Sequence, residues 1–362
     1  MPSFAPDRDR SANIQVLRAI AALMVVFEHA LADVERATGK HVIAIWPGGF
    51  GVTIFFVISG FIIHHSSAEL FGRHNSWKDF AWRRLWRIVP LYYAATMLYV
   101  LMALFFSSTI NRGSVHLDHL LGSLLFIPVH GVSPVYALGW SLNFEMMFYA
   151  SFAIALLMPE RMALVALVAW LTALMVLHPL ASPGTVAFVW TDYHIAAFLA
   201  GVLISVAANR WPRRHNPVLF LTGAVALLTL AAAVFSHVET YQIGIVPIAL
   251  ASALVAAAAF TTTADIAGIG SLLGDSSYSL YLIHMFVIRG LAVAAPRLAP
   301  ITLIGLIITL SCLAAVASHR FFERPLLRLG QRLRQRYVDR GRPQNLVPVQ
   351  QNRCPVYVDE GG

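Results

Sequence analysis

NIQVLRAIAALMVVFEHALADV, residues 13–34, is an apolar run long enough to cross a bilayer, which takes roughly 20 residues. It nevertheless carries Arg18 and His29 inside it. On one helix these two stand three turns apart on a shared face, about 16 Å along the axis, with Gln15 nearby. A titratable group within lipid is costly, and chains that keep one point it at a bundle interior or a wet cavity. Two readings follow. The helix is one wall of a site inside the membrane, or Arg18 snorkels to the inner headgroups while His29 sits at the outer interface.

The rest of the chain has the same character. Of 362 residues 58% are hydrophobic and 12% charged, and the mean hydropathy is +0.69, values that exclude an ordinary soluble domain. The expectation is an all-α, polytopic integral membrane protein with about ten transmembrane helices, near 13–34, 49–66, 86–106, 136–158, 161–178, 186–207, 217–236, 242–262, 277–295 and 299–319. Leu117 to Val129 is too short to cross and reads as re-entrant or interfacial. Ala30-Leu31-Ala32 mimics a signal-peptide cleavage site, but Glu28 and His29 beside it, and the spans that follow, predict a retained anchor. Arginines and lysines collect between spans two and three and between six and seven. By the positive-inside bias this puts both termini in the cytoplasm.

The net charge is +8, yet its placement argues against nucleic acid. Arg324, Arg328, Arg332, Arg336 and Arg340 recur every fourth residue with leucines between them, the pattern of an amphipathic helix on anionic lipid. The expected division is a cytoplasmic segment 1–12, a transmembrane domain 13–320, a basic amphipathic cytoplasmic helix 321–341 and a disordered tail 342–362. Cys312 and Cys354 are the only cysteines, too few for a disulfide framework or a cysteine-based zinc site.

Polar residues inside the spans mark the candidate site. Gly48, Gly49, Gly51 and Gly60 of span two read as close helix packing, and His64 and His65 at its end as solvated. Arg84 and Arg87, three apart before Pro90, fit either a phosphate receptor at the cytoplasmic mouth or plain positive-inside anchoring. In span four, Trp140 and Ser141 open a run in which Ser141, Glu145 and Tyr149 form a stripe at i, i+4, i+8. A buried carboxylate needs a partner, and Arg18 is the natural one. Glu145 is expected nearer His29 than Arg87. Ser277, Tyr281 and His284 line one face of span nine. No His-x-x-x-His or similar spacing supports a metal site, so none is expected.

Together the motifs resemble acyltransferase family 3, the bacterial membrane O-acyltransferases. They are LRAIAALMVVFEH ending at His29, FFVISGF at Phe55–Phe61, RLWRIVPLY at Arg84–Tyr92, WSLNFEMMFY at Trp140–Tyr149, SYSLYLIH at Ser277–His284 and RFFERP at Arg320–Pro325. The resemblance runs from about 13 to 328, and Gln15 points to the exopolysaccharide-modifying branch. Thr53 stands where many members have an acidic residue, and no extracytoplasmic esterase-like domain is expected after the spans. The resemblance implies transfer of an acyl group, usually acetyl, from acyl-CoA as co-substrate to a hydroxyl of a cell-surface polysaccharide or lipid-linked saccharide. No bound cofactor is expected, and the place is the bacterial inner membrane. It further implies His29 as general base, Glu145 and Arg18 in supporting catalytic roles, and Arg84 and Arg87 on the coenzyme phosphates. Trp140, Ser141, Tyr149, Ser277, Tyr281 and His284 would contact substrate. The rival reading is a transporter of glycan or lipid-linked sugar without acyl-transfer chemistry, and internal repeats, which are not visible, would favour it.

Overall fold

A computed structural model describes residues 8–39, 47–105, 116–129, 133–211, 245–261, 267–295 and 298–340, and among them there are helices and no strands. In chain order they are α1 Arg8–Thr38, α2 Gly48–Ser67, α3 Ser76–Phe105, α4 Leu117–Leu124, α5 Trp140–Ala155, α6 Glu160–Leu177 and α7 Val186–Trp190. There follow α8 Ile195–Arg210, α9 Ile245–Phe260, α10 Ala267–Asp275, α11 Ser277–Ala294 and α12 Pro300–Ser318. A π-helical turn, His319–Glu323, then leads into α13, Arg324–Arg340.

Six described stretches are long and apolar enough to cross a membrane: Ala12–Arg36, Gly48–Leu70, Ser76–Phe105, Glu160–Leu180, Val186–Arg210 and Pro300–Arg336. The expected spans 136–158 and 242–262 fold as α5 and α9, each of 16 residues, and 217–236 lies outside the described residues. Large apolar side chains point outward as they would toward lipid: Leu104 is 70% exposed, Val165 71% and Ile301 80%. Water would penalise such a surface and hydrocarbon does not.

The centre of the bundle is α2, whose Ile54, Val57, Ile58 and Phe61 are buried between α1, α8 and α9. Its glycines are the reason the helices come so close. A Cβ on Gly51 would stand 2.6 Å from the Ala21 carbonyl oxygen, and one on Gly60 2.0 Å from that of Phe198. In lipid, where apolar burial gives little net drive, such small-residue contacts let backbones meet and gain dispersion energy. His64 departs from the solvated position expected of it. The α2–α8 contact buries its ring completely, with Nδ1 2.9 Å from Ser205 Oγ and Nε2 3.5 Å from a Glu160 carboxylate oxygen.

Leu117 to Val129 forms the eight-residue α4 and a tight return at Phe126, whose φ of 57° is left-handed. Tyr92 and Tyr93 of α3 hold it by donating to the carbonyls of Ser123 and Leu124. The basic helix α13 packs on α3. Trp82 Nε1 donates to the Gly330 carbonyl at 2.9 Å, and Arg334 grips Asp79 through Nε and a terminal nitrogen at 2.9 and 2.6 Å. The tail expected at 342–362 lies outside the described residues.

Candidate active site

Five helices line a partly open cavity of about 730 Å3, a volume that includes space open to solvent. From α1 comes Arg18, and from α3 come Arg84 and Arg87, whose three-residue spacing turns both guanidiniums inward. The 3.6-residue period of α5 brings Ser141, Glu145 and Tyr149 onto the cavity wall, one per turn. The start of α11 supplies Ser277, Tyr278 and Tyr281, and α2 adds Phe55 and Ser59.

Three arginines and one glutamate leave a formal excess of two positive charges on this wall. None of the three guanidiniums is ion-paired among the described residues. Arg18, only 7% exposed, donates to Gln15 Oε1 at 3.0 Å. Arg84 donates to Ser66 Oγ at 3.0 Å and lies over the rings of Phe80 and Tyr149. Glu145 accepts from Ser59 at 2.8 Å and Tyr149 at 2.5 Å. The Ser277 hydroxyl, at the N-terminus of α11, is buried without a hydrogen-bond partner among the described residues. Cations in excess of the carboxylate on this wall, a bare hydroxyl and a helix N-terminus around one void are suited to an anion with several oxygens.

At one end of the cavity Tyr281 hydrogen-bonds Ser141 at 2.9 Å and the Leu138 carbonyl at 3.1 Å, while the ring of Phe55 meets it edge-on at 6.3 Å. Next to Tyr281 lies the histidine pair, the ring of His284 being 6.3 Å from that of Tyr281. His284 Nε2 is 3.1 Å from His29 Nδ1. A turn farther along α1, Asp33 accepts from Arg36 at 3.0 Å and from Arg289 at 2.9 Å, stapling α1 to α11.

A family model for the acyltransferase domain matches residues 11–320. The chain belongs to acyltransferase family 3. It is an O-acyltransferase of a membrane-associated family, and relatives bear this out. It is 32% identical, over 83% of its own length and 95% of the relative's, to the exopolysaccharide production protein ExoZ of Rhizobium meliloti. It is 26% identical, over 76% of its length, to the peptidoglycan O-acetyltransferase OatA of Listeria monocytogenes. It is 25% identical, over 87%, to the putative peptidoglycan O-acetyltransferase YrhL of Bacillus subtilis. The chain spans about half the length of these last two, 49% and 55%. No solved structure matches it.

The acyltransferase places most of the residues singled out by sequence on one cavity: Arg18, Arg84, Arg87, Ser141, Glu145, Tyr149, Ser277 and Tyr281. It does not bring His29, His284 and Trp140 onto that wall. Trp140 lies behind it, its ring 6.4 Å from that of Phe56 and 5.4 Å from that of His194. Two expectations are corrected. Arg18 and Glu145 form no ion pair, because Gln15 and the Ser59–Tyr149 pair satisfy them separately. Glu145 shares its cavity with Arg87 and not with His29, because the stripe on α5 descends from Ser141, at the Tyr281 end, toward the arginines.

Sequence reasoning passed over three residues. Ser59 sits beside Gly60 and reads as packing, although it holds Glu145. Tyr278 donates to the Ile88 carbonyl at 2.6 Å and joins α11 to α3. Glu323, within RFFERP, is buried and accepts from His319 at 2.9 Å and Ser279 at 2.8 Å. The motif was visible in the sequence, but its partners, far away in the chain, were not.

Proposed function

We propose that this acyltransferase moves an acetyl group from acetyl-CoA, its co-substrate, to a hydroxyl of an exopolysaccharide sugar or its lipid-linked precursor. The observation that carries the proposal is the cavity on which Arg18, Arg84 and Arg87 stand without carboxylate partners. Coenzyme A ends in phosphates, and planar guanidiniums meet phosphate oxygens two at a time. The name of the Rhizobium relative supports an exopolysaccharide as acceptor, and those of the Listeria and Bacillus relatives support acetyl as the group. The arginine cavity opens to the cytoplasm of the bacterial inner membrane, in keeping with basic loops and termini on that side.

Chemistry is assigned to His29. The attacking hydroxyl oxygen joins the thioester carbonyl carbon while its proton passes to the His29 imidazole. The carbon–sulfur bond then breaks, and the departing thiolate recovers the proton. Arg18 and His29 share the unbroken α1 at about 16 Å along its axis, too far for Arg18 to steady an oxyanion formed at His29. Arg18 therefore joins the phosphate binders, and the pantetheine arm of the donor crosses the gap past Tyr281. Glu145 acts indirectly by holding Ser59 and Tyr149 along that route.

Intact mass measurement of the surface polysaccharide from cells with and without the chain tests the proposal. The expected result is one added acetyl mass per modified sugar, present only with the chain. Identical masses in both would refute it.

A further inference from the structure

We propose that His284 is a positioning residue for His29, which it holds in a single tautomer with the outer nitrogen bare. The inference rests on His29 being the base and concerns what makes it one.

The argument starts from two backbone carbonyls. His284 Nδ1 lies 3.0 Å from the Leu280 carbonyl oxygen. A carbonyl can only accept, so Nδ1 carries the hydrogen of the neutral ring and Nε2 keeps its lone pair. That Nε2 is 3.1 Å from His29 Nδ1, which is itself 3.0 Å from the Val25 carbonyl oxygen. Facing two acceptors, His29 Nδ1 must be the protonated nitrogen too. The reverse assignment would set lone pair against lone pair at both carbonyls. The basic lone pair of His29 is thereby left on Nε2, away from His284.

The pair has the means to keep this arrangement. His284 is completely buried, with the rings of His29 and Tyr281 beside it, and the Asp33–Arg289 staple fixes α11 against α1. When the sugar proton arrives at His29 Nε2, the ring becomes an imidazolium. Its Nδ1–H is then shared between the Val25 carbonyl oxygen and the lone pair of His284, and the second acceptor adds to the stability of the cation. The proton goes on to the thiolate, and His284 touches no reacting atom. Partners of this kind behind a functional imidazole fix its tautomer and orientation.

The test uses the full chain in vesicles, supplied with acetyl-CoA and glycan. His284→Phe keeps a ring in the same space without a lone pair, and His284→Leu is a second variant that cannot accept. Both should fold with an unchanged unfolding midpoint and lose turnover by roughly 10- to 100-fold, the range known for losing the partner behind a metal-bound imidazole. The Michaelis constants for both substrates should hold. His284→Gln, whose Oε1 accepts from Nδ1–H, should recover most of the loss. Wild-type turnover in the Phe or Leu variant would overturn the proposal. So would a Gln variant as slow as a stably folded Phe variant, which would make the role one of packing. Should neither Phe nor Leu fold, the Gln variant decides alone, near wild-type turnover supporting the proposal and a loss as large as that of His29→Ala overturning it. Failure of the underlying reading looks different: His29→Ala would then work at the wild-type rate whatever His284 is.

Discussion

His29→Ala should leave a chain that inserts and folds but transfers acyl groups roughly 10²- to 10⁴-fold more slowly, the range attributed to a positioned proton acceptor. A sugar hydroxyl is a poor nucleophile until its proton has somewhere to go at the moment of attack, and an imidazole with a bare nitrogen provides that near neutral pH. The loss should appear in turnover, with the Michaelis constant for acyl-CoA unchanged, because the arginine cavity does not include His29. Folding should survive because the side chains that bury α1, among them Leu17, Ala21, Val25 and Val26, are untouched. Acyl transfer by purified protein in vesicles, with equal amounts of each variant, measures the effect. A wild-type rate would take the chemistry away from His29.

The second large effect is structural. Gly201→Leu should yield little folded protein and lower the unfolding midpoint in detergent by many degrees. A Cβ at Gly201 would stand 2.0 Å from the Val57 carbonyl oxygen and 2.7 Å from the Phe61 amide nitrogen. Both are backbone atoms of α2, so no side chain can rotate to relieve the clash and the helices must part. Overpacking ordinarily costs about 1–3 kcal/mol, and more when backbone has to move. Parting α2 from α8 would also loosen Ser59 of α2 from Glu145. Gly305→Leu is the control, since a Cβ there meets nothing within 4 Å. Equal stability of the two variants would show that the α2–α8 contact tolerates separation.

These two cases mark how far the sequence could be read. The helical membrane class was legible because long apolar runs need no knowledge of their neighbours. The stripe Ser141, Glu145, Tyr149 and the pair Arg84, Arg87 were legible because helical period alone puts each set on one face. What the sequence withheld were contacts between distant elements. His64 ends an apolar run beside another histidine and looks solvated, yet Ser205, 141 positions on, buries it. Arg18 and Glu145 are opposite charges at plausible depths, and only the packing shows that each is satisfied by a nearer polar group. The contact of His29 with His284, 255 residues apart, could not be read from either helix alone. Of the ten expected spans, six described stretches are long and apolar enough to cross, α5 and α9 run for 16 residues each within the described residues, and 217–236 lies outside them.

The central claim is that unpaired guanidiniums hold an acyl-CoA whose group is delivered to a saccharide. Release of free thiol from acetyl-CoA by the purified protein in vesicles, with and without glycan and at rising donor concentration, tests it most directly. The account predicts thiol release that requires glycan, and in Arg87→Ala an apparent Michaelis constant for the donor raised about 10-fold or more with turnover little changed, as loss of a charge-assisted contact implies. Thiol release indifferent to glycan, or an unaltered constant in a normally folded Arg87→Ala, would contradict it.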